Sequence, residues 1–226
     1  MLVIITGGIG SGKSMVSQLL KVMGYTVYDC DSRAKELMLT DATLKGQLTE
    51  LLGPETYAAD GRLNRPYVAS RIFGNQELLG QMNALVHPAV AADIRRRQLD
   101  FSKTLRQGLS KGLDKTLRQG LGKGLDKTLR QGLGQGFSKT PFFVETAIYF
   151  DSGFDKYAQA DRVWCVAAPL ELRIQRAMHR DGTDRQRIEA RILSQMPQEE
   201  KIKKSDAVIW NDDTHSIIEQ VNALLP

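Results

Sequence analysis

The chain has 226 residues, of which 42% are apolar and 25% charged, with a formal net charge of +5 at pH 7. That length suits one α/β domain with insertions, and that composition suits a soluble core; no apolar run approaches the ~20 residues of a membrane span. Cys30 and Cys165 lie in apolar runs without metal-ligand spacing and read as buried reduced thiols, and the N-terminus carries no basic–apolar leader, so a cytoplasmic protein is expected.

The first predicted element is a buried strand over 2–6. The run Gly7-Gly8-Ile9-Gly10-Ser11-Gly12-Lys13-Ser14 follows, then a helix over 14–23. The run fits the phosphate-cradling pattern G-x-x-x-x-G-K-[S/T] in its required strand–loop–helix context. Glycines let successive N–H groups turn toward phosphate oxygens, and the helix start adds its positive dipole end. Lys13 then reaches the β- and γ-phosphates and Ser14 a Mg2+ ion.

A second strand, 26–30, ends in Asp29-Cys30-Asp31. Strand alternation puts both carboxylates on one side. A phosphoryl-transfer site needs one acid to orient the acceptor hydroxyl and another to help hold Mg2+; either aspartate suits either role, and one of them also suits an N-cap before Ser32. Helices are predicted over 32–39, 43–52, 65–73, 76–84 and 88–99, forming a helical satellite over the sheet's carboxyl edge, with His87 at a helix start before Pro88.

Residues 101–136 are three copies of one twelve-residue unit, FSKTLRQGLSKG, LDKTLRQGLGKG and LDKTLRQGLGQG. They carry eight basic and two acidic residues, so the rest of the chain is close to neutral. Their large apolar residues recur every fourth position, which drifts ~40° each time around a helix and leaves no lasting apolar face. With eight glycines among them, a surface excursion, disordered or transiently helical, is expected. A basic nucleic-acid arm would want aromatic interleaving, which is missing, so no nucleic-acid partner is expected.

Beyond the repeat, strands are predicted over 142–147, 162–168 and 207–211. Glu145 stands at the end of the first, where a metal-side acid would sit. Helices over 170–180 and 184–194 bear arginines at helical spacing, among them Arg173, Arg176, Arg180 and Arg191. The turn His179-Arg180-Asp181-Gly182-Thr183 joins them, which reads as a lid closing over triphosphate. A helix over 214–224 closes the chain. Strands alternating with helices predict an α/β fold with a parallel sheet covered on both faces.

TGGIGSGKS at 6–14, Asp29-Cys30-Asp31, DGRLNR at 60–65, Leu85-Val86-His87-Pro88, ETAIYFDSGFDK at 145–156, RAMHRDG at 176–182, ARILSQMP at 190–197 and SDAVIWND at 205–212 together resemble the dephospho-CoA kinases. The likeness spans nearly everything except 101–136. It implies a five-stranded parallel sheet P-loop NTPase, nucleoside-monophosphate-kinase-like, with a helical substrate-binding satellite and a helical lid. The implied layout is a core at 1–31, 141–175 and 196–226, an acceptor region at 32–99, a flexible repeat at 100–140 and a lid at 176–195. The implied activity is phosphorylation of the ribose 3′-hydroxyl of dephospho-CoA by ATP, with Mg2+, without a membrane or nucleic-acid partner. By resemblance Asp31 is the general base, with Lys13 and Arg180 also catalytic. ATP is held by Gly8, Ile9, Gly10, Ser11, Gly12, Lys13, Ser14, Met15, Arg176, Arg180 and Asn211. Asp29, Asp31, Arg65 and His87 face the acceptor, Arg191 and Gln195 belong to the lid, and Ser14 takes Mg2+ with Asp29 or Glu145. Another small-molecule P-loop kinase, for nucleoside monophosphates or a shikimate-like acceptor, is the alternative. The sequence departs from the family pattern at Met15, Arg33, Lys35, Ala147, Asp151 and Ser205.

Overall fold

The computed structural model describes residues 1–118 and 140–226, and side chains throughout these except at 106 and 108–118. Five strands form one parallel sheet: β1 (Leu2–Thr6), β2 (Val27–Asp29), β3 (Phe142–Glu145), β4 (Arg162–Ala167) and β5 (Ala207–Trp210), in the order β2-β3-β1-β4-β5. β1 is central and buried along its whole length. Its apolar run is uninterrupted because both faces are covered, as in parallel sheets generally.

The helices are α1 (Lys13–Val22), α2 (Cys30–Thr40), α3 (Ala42–Leu52), α4 (Arg65–Ile72), α5 (Gln76–Arg118), α6 (Leu170–Asp181), α7 (Arg185–Leu193), α8 (Gln198–Lys203) and α9 (Ile217–Leu224). One core cluster joins Ile4, Val144 and Tyr28 to Leu44, Leu48, Val90 and Ile94 of the helical satellite. A second, on the other face, holds Val3, Ile5, Phe143, Trp164 and Ile209 against Val16 and Leu20 of α1 and Val221 of α9.

Three expectations need correction. The second strand ends at Asp29 rather than residue 30, and α2 begins at Cys30. Strand alternation therefore does not govern Asp29-Cys30-Asp31: Asp29 is the N-cap, accepting from the backbone N–H groups of Asp31 at 3.0 Å and Ser32 at 3.2 Å and from Ser32 Oγ at 2.6 Å. Second, 76–84 and 88–99 are one helix, with Pro88 and His87 inside it. The proline removes one donor without ending the helix, because Val86, Val90, Ala91 and Ile94 are packed in the core. Third, α5 does not stop at the repeat but runs on to Arg118; the other repeat residues, 119–136, lie outside those described. The short helix α8 has no counterpart in the sequence reading.

The satellite is fastened to the sheet through Asp93 of α5, whose carboxylate is buried. It accepts from Tyr28 Oη of β2 at 2.9 Å, from Arg33 of α2 at 3.0 Å, from Arg97 at 3.1 Å and from Arg96. These charge-assisted bonds hold α2, with Asp31 on its first turn, against β2 and α5. They also account for the departure at Arg33. Asp93→Ala strands Arg33 and the Tyr28 hydroxyl without their shared partner, and about 3–5 kcal/mol of stability should be lost, measured by denaturant unfolding.

Candidate active site

Register sets the site. Ile5 pairs with Glu145, Asp29 with Glu145 and Thr6 with Cys165, so β1, β2, β3 and β4 all reach the same carboxyl edge. Ligands of open α/β sheets bind at that edge. A cavity of about 430 Å³ opens there, lined by Ile9, Gly10, Gly12, Lys13, Ser14, Met15, Asp31, Glu145, Ala147, Arg176, Arg180, Arg191, Gln195 and Asn211. A smaller cavity of about 180 Å³ adjoins it under the satellite, lined by Cys30, Asp31, Met38, Met82, His87, Thr146 and Phe154 among others. Asp31 belongs to both walls.

The loop before α1 curls because Gly10 and Gly12 sit at φ of +75° and +94°, which L side chains rarely adopt. Lys13 Nζ folds back onto the carbonyls of Gly7 at 2.9 Å and Gly8 at 3.1 Å. Burial lowers the Lys13 pKa to about 8; Glu145 and Asp31 oppose the shift while Lys201 and Arg180 add to it. Asn211 is buried and braces the loop, donating Nδ2 to the Ser11 carbonyl at 2.9 Å. Arg176 in turn donates to the Asn211 carbonyl at 2.9 Å. Across the lid turn, Asp181 accepts from Arg180 at 2.7 and 3.1 Å and from Arg191 at 2.5 Å, and these two guanidinium groups hold its carboxyl far below the usual range.

Most residues singled out in the sequence thus meet in one place. Gly8 and Ser11 support the loop from beneath rather than lining the larger cavity. Asp29 does not line it, because both carboxylate oxygens serve the α2 cap. His87 lines the smaller cavity, packed edge-on against Phe154 and Tyr157, and burial lowers its pKa. Arg65 lies apart from both, in a groove with Lys35, Arg62 and Asn64.

Two contributors, Lys201 and Gln198, escape sequence reasoning, which sees a third, Arg173, only as part of the arginine face and not as a strut under the loop. Arg173 is 5% exposed and donates to the Ile9 carbonyl at 3.0 Å. Lys201, fully buried, donates to Asp151 at 2.6 Å and to the Ala147 carbonyl at 3.2 Å. Gln198 accepts from the Ala168 N–H at 3.2 Å. The Gln-Glu-Glu-Lys-Ile-Lys-Lys run around Lys201 has the look of a solvated face, and only the spacing of Arg173 three residues before Arg176 hints at a shared one.

A sequence model described as dephospho-CoA kinase matches residues 1–109 and 125–216. The unmatched internal stretch, 110–124, falls inside the repeat. A dephospho-CoA kinase of Bacteroides fragilis is 35% identical over 98% of this chain and 89% of its own length. One from Porphyromonas gingivalis is 33% identical over 96% and 89%. This chain belongs to the dephospho-CoA kinase family. The family catalyses the last step of coenzyme A biosynthesis, with ATP and dephospho-CoA as substrates. Among solved structures, a Thermus thermophilus protein superposes with a TM-score of 0.68 at 31% identity, covering 99% of this chain and 95% of that one. The dephospho-CoA kinase of Campylobacter jejuni superposes at 0.58 and 22% identity, covering 99% and 94%, a likeness of fold. No helix among the described residues is long and apolar enough to cross a membrane.

Within this family frame, the lowered pKa of Lys13 makes a prediction about donor binding. Below pH 8 the ammonium is intact; as pH rises through about 8 it loses its proton in the ligand-free protein and no longer attracts phosphate. The affinity for ADP or an ATP analogue, followed by calorimetry, should therefore fall progressively above pH 8, well before a solvent-exposed lysine would titrate.

Proposed function

We propose that the chain transfers the γ-phosphoryl group of ATP to the ribose 3′-hydroxyl of dephospho-CoA, giving CoA and ADP, with Asp31 as general base. The carrying observation is the position of Asp31 on the wall shared by the two cavities. A donor held against Gly10–Ser14 and an acceptor held under α5 meet at this carboxylate. There it accepts the hydroxyl proton as the oxygen attacks phosphorus.

The donor side acts by position and charge. Lys13, Arg176, Arg180 and Arg191 converge on one cavity, where they oppose the negative charge of the transferred group. Arg180 and Arg191 must exchange Asp181 for phosphate as the segment 176–195 closes, which excludes water that would otherwise take the phosphoryl group. Ser14 and Glu145 line that cavity with oxygen donors suited to Mg2+. When bound, Mg2+ neutralises charge on the β- and γ-oxygens. Asp29, committed to its cap, is assigned a structural part. Arg65 and His87 are assigned to the acceptor, within a satellite spanning 32–99, and the core comprises 1–31, 141–175 and 196–226.

Asp31→Asn should keep ATP-analogue affinity while transfer to dephospho-CoA drops about 10²–10⁴-fold. Full turnover would remove the base assignment, and transfer to a nucleoside monophosphate but not to dephospho-CoA would name a different acceptor. Deleting 101–136 should leave turnover unchanged. The deletion puts Phe137-Ser138-Lys139-Thr140 in place of Phe101-Ser102-Lys103-Thr104, an identical stretch. Phe101 packs on Phe142 with ring centroids 5.7 Å apart, so the substitute residue restores that contact. Turnover by the deletion variant, with its melting temperature, tests this.

A further inference from the structure

The phosphate-loop pattern asks nothing of Ile9, yet three separate parts of this residue are engaged, all by the segments that begin and end the lid. Its N–H donates to Gln195 Oε1 at 3.0 Å. Its carbonyl accepts from Arg173 Nε at 3.0 Å. Its side chain packs on the small apolar cluster that joins α6 to α7, made by Ile174, Ala177 and Ile188 with Met178 and Ile192. Arg173 precedes the segment 176–195 and Gln195 ends it, so the two roots of the lid grip the two peptide planes of one residue.

The Arg173 grip has no slack. A Cβ at Gly8 would lie 2.2 Å from the Arg173 guanidinium, and one at Gly10 would lie 2.1 Å from the Arg173 carbonyl oxygen. The loop on either side of Ile9 therefore rests directly on the start of α6. The roots are themselves fixed to the body. Arg173 is buried and reaches Gln198 Oε1, which also accepts from the Ala168 N–H. Beyond Gln195, the Met196 N–H donates to Asp151, and the other oxygen of Asp151 is held by buried Lys201.

We infer that Ile9 is a positioning residue that couples lid closure to the shape of the phosphate loop. With the Arg173 and Gln195 contacts held by the body, a rotation of α6 and α7 moves the apolar cluster against the Ile9 side chain and so bears on the peptide planes on both sides of it, next to Gly10, Gly12 and Lys13, which line the donor cavity. Coupling of this kind is reciprocal: a phosphate-filled loop favours the closed lid as much as the closed lid favours the filled loop. The inference rests on the lid reading given above.

The test uses the full chain with a non-hydrolysable ATP analogue and three readouts: analogue affinity, turnover, and trypsin cleavage at the exposed arginines of α7, Arg185, Arg187 and Arg191. In the unaltered protein the analogue slows cleavage. In Ile9→Ala protection should be lost even at saturating analogue and kcat should fall about tenfold or more, while affinity falls only by the factor that lid closure contributed, as reciprocity requires. Ile9→Val should restore most of both. Gln195→Met, which removes the amide's partner without touching the loop sequence, should reproduce the loss of protection. Unchanged protection and kcat in both Ile9→Ala and Gln195→Met overturns the coupling, as does a fall in affinity and kcat with full protection retained at saturating analogue. Absence of protection in the unaltered protein overturns the lid reading itself, and the coupling with it.

Discussion

Close backbone approach at the phosphate loop is the constraint from which the rest of the site follows. A side chain at Gly7 would meet the Val166 carbonyl at 2.3 Å, one at Gly10 the Arg173 carbonyl at 2.1 Å, and one at Gly12 the Asn211 amide at 1.7 Å. Those neighbours come from the end of β4, the first turns of α6 and the residue after β5. Only a sheet in which β1 is central and β4 and β5 lie in order beside it brings all three to the loop. The glycines are thus needed twice, for the positive φ of the turn and for the contact distance. The loop has little shape of its own; it is moulded by its surroundings.

Those surroundings also decide how charge is stored before a nucleotide arrives. A buried ammonium is costly unless paired, and at Lys13 two loop carbonyls and the nearby acids Glu145 and Asp31 offset this cost only in part, which leaves its pKa lowered. The arginines are parked in the same way, Arg176 on Asn211 and Arg180 and Arg191 on Asp181. Each partner is a single carboxylate or a neutral amide. A triphosphate offers more charge and more acceptor oxygens, so the exchange favours binding through charge-assisted bonds while the released Asp181 returns to water.

What the sequence conveyed and what it did not divides along the range of the interactions. Strands of uninterrupted apolar residues, the glycine-lysine loop and the arginine spacing are local patterns, and all five strands stand within a few residues of their predicted places. Asp29 was read as a strand-end acid because the competing possibility, a cap for α2, depends on where the helix starts, and β2 proved shorter by one residue at its carboxyl end. Pro88 looked like a helix start because its effect on the backbone is local, whereas the burial that carries α5 through it is not. Lys201, Asp151 and Arg173 are long-range by nature: Lys201 and Asp151 are 50 residues apart, Arg173 and Ile9 164. Nothing in the immediate neighbourhood of such residues distinguishes a buried strut from a solvated charge.

The repeat shows the same division from the opposite side, since it dominates the sequence while none of its described residues lines either cavity. Phe142, on which Phe101 packs, is the first residue of β3 and pairs with Leu2 at the amino edge of the sheet. Gly7, Asp31 and Glu145 lie at the carboxyl edge. Phe101, where the repeat begins, is separated from the phosphate loop by the length of the strands. The entropic cost of lengthening a connection grows only logarithmically, ~0.6 kcal/mol per doubling. The fold can absorb that, because α5 is anchored well before the repeat, by Asp93 to β2 and α2 and by Val90 and Ile94 to the core. The position of the anchor, upstream of the first repeat unit, is therefore what permits a kinase of this family to carry the insertion.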